Sequence, residues 1–224
     1  MRRYIEGLSP RAEFAIVVAL AFGYPIVGNL AATLLGRTAG HISESHLEVL
    51  IVYELAILAV LIPFLRLRGW TSGRIGLRPG WKETGIGFLL MPGAYLAAYV
   101  SYALAASLFP GLVQSAQHPD FVTPGFAVAT LVATSALNGF FEEAFVCAYV
   151  ISALKERQGF WTSVNVSIAL RLSYHLYQGP IGIVGIVPIG FVFGLYYART
   201  GRLWPLVVAH ALIDLVGLAS HVAG

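Results

Sequence analysis

The chain has 224 residues, 58% of them hydrophobic and only 11% charged. A soluble domain carries about 25% charged residues, so the composition excludes one and marks an integral membrane protein. The net charge of +3 comes without a basic stripe, which excludes a nucleic-acid partner, and one cysteine excludes an intrachain disulfide or a zinc-type cysteine cluster.

Apolar runs of about 18 residues or more mark transmembrane helices. Seven follow one another, at about 13–35, 47–65, 84–109, 125–155, 160–178, 181–198 and 203–222. Met1-Arg2-Arg3 precedes a run too long for the core of a signal peptide, so the first run reads as an uncleaved span. The expected fold class is all-α: a polytopic membrane protein of about seven transmembrane helices, forming one integral membrane domain over 1–224. In a bacterial or archaeal cell it would sit in the plasma or inner membrane. The fourth run exceeds what a bilayer requires and is expected to tilt, project, or bend near Asn138-Gly139. Pro25, Pro63, Pro92 and Pro188 fall within or near span ends, where neighbouring helices satisfy the freed backbone groups. Gly190 and Gly194 make a Gly-x-x-x-Gly face open to another helix.

Seven spans put successive loops on opposite sides, and the basic residues test this. Arg2, Arg3, Arg11, Arg66, Arg68, Arg74, Arg78, Lys82, Lys155, Arg157, Arg199 and Arg202 fall on the N-terminal side, against Arg37 on the other, with Arg171 inside a span. The N-terminus is therefore expected in the cytoplasm and the C-terminus opposite. The loop 66–82 mixes arginines with Trp70 and Trp81 and reads as an interfacial belt that also attracts anionic lipid head groups. His41, His46, His118 and His221 lie in loops or at a helix end and read as solvated.

Polar residues inside the spans carry the chemistry. Glu142 and Glu143 sit mid-span, where each ionised carboxylate costs roughly 2.5–3.5 kcal/mol on insertion scales, so the pair needs partners or a water-filled cavity. Ser135, Asn138 and Glu142 share one helix face, and Glu143, about 100° away, shares another with Cys147. Ser163, Ser167, Arg171 and His175 form a second stripe, and His210 and Asp214 a third. A hairpin turning at Gly159 brings residues equidistant from it level with one another. Glu143 and His175 are each 16 residues from Gly159, and Cys147 and Arg171 are each 12 away. Only eight residues separate His210 from Arg202, so either the seventh helix begins deeper or the hairpin projects further.

Carboxylates and imidazoles at one level support three kinds of work. They can activate water for hydrolysis with an oxyanion site, bind a divalent metal through Glu142, His175 and His210, or conduct protons.

Glu142-Glu143-x-x-x-Cys147, then His175, then His210-x-x-x-Asp214 resembles the CPBP family of intramembrane endopeptidases (CAAX proteases and bacteriocin-processing enzymes, also called ABI). The family's pattern is Glu-Glu-x-x-x-Arg, aromatic-x-x-x-His and His-x-x-x-Asn or Asp, and the likeness covers about 125–220. Gly76-Leu77-Arg78 is similar to a short stretch often found upstream. The resemblance implies that Glu142 and His175 activate the water while His210 and Asp214 form the oxyanion site, in active-site spans four, five and seven. It implies no obligatory cofactor, with a divalent metal as the alternative. Partners would be the lipid bilayer and a membrane-associated peptide or protein tail reaching a cavity open to the cytosol. Two departures stand out: Cys147 replaces the motif arginine, and Arg171 replaces the aromatic. These positions are level, so one guanidinium is expected to have moved between helices while still pairing with Glu143. The competing readings are a non-catalytic membrane binding or scaffold protein of the same fold and, third, a proton-coupled transporter.

Overall fold

In a computed structural model the described residues are 2–35, 43–111 and 127–222. Among them every regular element is helical: α1 (Arg2–Glu6), α2 (Pro10–Leu34), α3 (Glu44–Leu67), α4 (Trp81–Leu108), α5 (Val128–Glu142), a π-helical segment (Glu143–Tyr149), α6 (Val150–Gln158), α7 (Phe160–Tyr174), a 3₁₀ turn (Leu176–Gln178), α8 (Gly179–Thr200) and α9 (Trp204–Val222). Five helical stretches are long and apolar enough to cross a membrane: Pro10–Leu34, Glu44–Leu67, Trp81–Leu108, Val128–Gln158 and Leu176–Thr200. The protein is an all-α polytopic membrane protein. The other two expected spans correspond to shorter helices. The 15 residues of α7 carry Arg171 and rise about 22 Å, and α9 contains the shorter apolar stretch Trp204–Ala219. Arg37, His41 and His118 lie outside the described residues, as does the side chain of His221.

Local chemistry sets the helix ends. Ser9 accepts from the Ala12 N–H at the start of α2, with Pro10 in the first turn. Ser43 and His46 cap α3 reciprocally, so His46 has a structural partner rather than being merely solvated. Glu44 accepts from the Ala127 N–H and the Thr130 hydroxyl, tying α3 to the start of α5. Gly159 adopts φ 87° at the α6–α7 junction, a conformation only glycine takes freely, and this turns the hairpin where the sequence places it.

The long fourth span stays α-helical through Asn138-Gly139. Its irregularity is the π segment beginning at Glu143, all seven residues of which are buried. The widened turn leaves the Val146 carbonyl able to accept from the Ser167 hydroxyl across the hairpin, at 2.8 Å. Gly139 serves a different end. A Cβ there would lie 2.8 Å from the Ala211 nitrogen and 3.1 Å from the Val207 oxygen, so glycine lets α9 cross α5 at close range. The Gly-x-x-x-Gly face of α8 likewise receives α7: Cβ atoms at Gly190 and Gly194 would meet Arg171 Cδ at 3.4 Å and Val164 Cγ1 at 3.2 Å.

Part of the loop 66–82, around Trp70, is a packed structural joint. Trp81 is 95% exposed and suits the expected interfacial belt, but Trp70 is buried. Its indole N–H donates to Glu13 Oε1 at 2.8 Å, Tyr149 donates to the same oxygen at 3.2 Å, and Arg74 covers the indole face. Arg68 binds Glu13 Oε2 at 2.6 Å and also donates to the carbonyls of Ile5, Glu6 and Leu8. Farther along the loop, the Gly76 carbonyl accepts from the Leu203 N–H at 3.0 Å. Leu203 is fully buried beneath this joint, and from there α9 carries His210 to Glu143. Lys155, near the end of α6, donates to the Ala198 carbonyl of α8. Arg68→Ala removes a half-buried ion pair and three backbone caps together. It should destabilise the protein by about 3–5 kcal/mol, measured as a lowered unfolding midpoint in detergent, whereas Arg78→Ala in the same loop should change little.

Candidate active site

Glu142 and Glu143 end α5 and open the π segment. Successive helical side chains diverge by about 100°, so the two carboxylates face different surroundings. Glu142 borders a cavity of about 560 Å³, while Glu143 is fully buried and does not line it. Arg171, reaching across from α7, joins them: Nη1 lies 3.1 Å from Glu142 Oε2 and Nη2 lies 2.5 Å from Glu143 Oε1. Cys147 Sγ is 3.9 Å from the same Nη2, so the side chain standing at the motif-arginine position borders the guanidinium itself.

His210 Nδ1 lies 2.6 Å from Glu143 Oε1, and its Nε2 lies 3.5 Å from Asp214 Oδ1 and 3.9 Å from Glu142 Oε2. Asn138 donates to Asp214 Oδ2 at 2.7 Å and so links α5 to the C-terminal half of α9. His175 follows the end of α7, with Nδ1 2.9 Å from the Arg171 carbonyl. A carbonyl can only accept, so Nδ1 carries the hydrogen and Nε2 keeps its lone pair. Glu142, His175, His210, Asp214 and Asn138 all border the one cavity, Arg171 and Glu143 stand behind it, and Cys147 lies deeper still.

Three neighbours of this cavity were not singled out in the sequence. Tyr174 donates to Glu142 Oε2 at 2.6 Å, is stacked on Phe22, and accepts on its backbone carbonyl from Asn29 of α2. Nothing in the sequence distinguishes Tyr174 from the other tyrosines of the spans. Glu54 of α3 is buried at the cavity wall, and its Oε2 has no hydrogen-bond partner among the described residues. A lone Glu inside the run 47–65 was the available signal, because an ionisable group in a span marks a functional site by default. Tyr53, beside it, is held by the Leu20 and Ala21 carbonyls.

The Glu142, His175 and His210 set does not converge as a metal site: among the described residues no three His, Cys, Asp or Glu side chains come together in that way. The wall of the cavity comes from α2 between Ala21 and Asn29, α3 between His46 and Glu54, Tyr95 of α4, the stretch of α5 from Thr134 to Glu142, the end of α7 with the turn after it, and α9 from His210 onward.

If Arg171 supplies the charge that the motif arginine would, Arg171→Ala strands two buried carboxylates and should cost about 3–5 kcal/mol. Cys147→Arg in the same chain should restore stability from the opposite helix. A double-mutant cycle on thermal stability measures this, with a coupling energy of at least about 1 kcal/mol expected; strict additivity would mean the two positions share no role.

Residues 124–216 match the family model described as Rce1-like, Type II CAAX prenyl endopeptidase. This is the CPBP/CAAX protease family that the motifs resemble, and at family level the match supports an intramembrane protease of the CAAX type. No curated protein and no solved structure matches the chain.

Proposed function

We propose that this chain, CAAX-protease-like over residues 124–216, is an endopeptidase that hydrolyses peptide bonds of membrane-associated peptides or protein tails inside the bilayer, without a metal. The observation that carries this reading is the convergence of Glu142, His175, His210 and Asp214 on one cavity. The contacts Glu142 makes with Arg171 and Tyr174 both fall on Oε2, which leaves Oε1 to hold a water. His175 Nε2 takes that water's proton as the oxygen attacks the scissile carbonyl carbon. The same nitrogen then gives the proton to the leaving amine as the carbon–nitrogen bond breaks. His210, oriented by Glu143 and Asp214, presents its Nε2–H to the oxyanion. Asp214 as a carboxylate has no N–H to offer. The Asn138 amide beside it uses one N–H on Asp214 and keeps the second for the cavity.

Glu142→Gln and His175→Ala should each lower cleavage by about 10²–10⁴-fold in purified protein that still unfolds cooperatively, because the first weakens the acceptor that holds the water and the second removes the group that takes and returns its proton. Wild-type turnover in both would refute the enzymatic reading and leave a non-catalytic membrane binding protein. Chelator should leave the rate unchanged; loss of activity restored by a divalent ion would replace the metal-free route. Asn138→Ala should lower kcat by about 10²-fold with little change in KM, the signature of a donor used in the transition state.

A further inference from the structure

From the unpaired carboxyl at the cavity wall we infer that Glu54 is a subsite for a cation, so the peptides cut here carry a lysine or arginine side chain flanking the scissile bond. This rests on the endopeptidase reading and names its substrate class. Three carboxyl groups border the cavity, those of Glu54, Glu142 and Asp214, and among the described residues no lysine or arginine borders it. Two of the three are matched within the fold. Glu142 meets Arg171 and Tyr174, and Asp214 meets Asn138 and His210. Glu54 differs from both: it is 1% exposed, and its Oε2 has no hydrogen-bond partner among the described residues. His210 lies within its electrostatic reach but is already engaged by Glu143 and Asp214. A buried acid without a partner costs free energy, and Glu142 and Asp214 add their own field to it. A cationic donor relieves all three acids at once.

Helix levels put this acid beside the reacting bond. Glu44 of α3 accepts from the Ala127 N–H and the Thr130 hydroxyl, so α3 and α5 set out from a common level. They run on side by side, with Leu47 packed near Leu131 and Tyr53 near Phe141. Glu54 stands ten residues beyond Glu44, and Glu142 stands twelve beyond Thr130. Their levels therefore differ by about 3 Å of helical rise. The wall between them is aromatic, the Tyr53 and Phe141 ring centroids lying 6.4 Å apart. The Tyr53 hydroxyl is spent on the Leu20 and Ala21 carbonyls, so its ring is what it offers to a ligand. Lysine and arginine match such a wall, because a long apolar stem can lie along the rings while the charged head reaches the acid. A metal ion would leave the rings unused, and among the described residues no three His, Cys, Asp or Glu side chains converge to hold one. At about 560 Å³ the cavity has room for a short peptide segment with such a side chain.

The test uses the full chain purified in detergent and short internally quenched peptides. One lysine is walked along an otherwise uncharged sequence, and each peptide is matched by another with norleucine at that place. Wild type should cut the lysine peptides in one fixed register to the lysine, with kcat/KM at least about tenfold above the norleucine match. Glu54→Gln and Glu54→Met, both close in volume to glutamate, should erase that ratio. Because they remove an unpaired acid, neither should lower the unfolding midpoint. Equal rates for the two peptides in wild type, a ratio that survives both substitutions, or a midpoint lowered by both overturns the subsite and leaves the peptidase reading intact. Absence of Glu142-dependent cleavage of every peptide removes the peptidase reading. The Kd values of the wild-type chain for the matched peptides then decide the cation site alone: an about tenfold preference for lysine, lost in Glu54→Gln, upholds it, and equal values overturn it.

Discussion

A single guanidinium holds two neighbouring carboxylates in the interior of this protein, and the site exists only because that arrangement is tolerated there. Removing a carboxylate from water costs several kcal/mol even after relaxation, and only close geometry with further hydrogen bonds offsets it. Arg171 meets Glu142 and Glu143 together at 3.1 and 2.5 Å. Two carboxylates against one guanidinium still leave a negative charge over, and it is met by the Tyr174 hydroxyl on Glu142 and the His210 ring on Glu143. The His210 imidazole at the cavity is thus also part of what makes the carboxylates bearable, so the site and the packing draw on the same contacts.

Small residues make that geometry reachable. Cys147 is fully buried where the related motif carries an arginine, and a guanidinium from the opposite helix borders the room left. Gly190 on α8 gives passage to the Arg171 stem, and Gly139 lets α9 approach until His210 meets Glu143. Densely packed interiors transmit even a methylene's change in volume, so an arginine at 171, a small residue at 147 and a glycine at 190 form one packing solution. A larger side chain at any of these positions would press on the charges as well as on the core.

Much of this was legible in the chain. The turn at Gly159 and the levels counted from it place Cys147 beside Arg171, because helical rise is regular and a hairpin fixes relative height. What escaped depends on contacts between segments distant in sequence. The π segment follows from packing by α7 and α9 around Glu143, and no local residue announces it. Trp70 reads as a belt residue because tryptophan near arginines is common at interfaces; only the position of Glu13, 57 residues earlier, converts it into a buried donor. Glu54 is different, since its isolated charge in an apolar run was visible and went uncounted.

The adjacency of the two carboxylates explains why one can be chemical and the other structural. Neighbouring side chains on a helix diverge by about 100°, so a Glu-Glu pair at a cavity wall sends one carboxylate to the space and the other to the packed interior. Glu142 keeps an oxygen at the cavity, while Glu143 lies in the dry layer against Arg171 and His210. An electrostatic contact is stronger where water is excluded, so the buried member is the better anchor and the bordering member the better reagent. Exchanging their roles would require turning the helix by about a quarter of a turn, which would pull Glu143 from His210 and open the contact at Gly139. The close crossing of α5 and α9 therefore decides which glutamate faces the cavity, from a position one turn away from either of them.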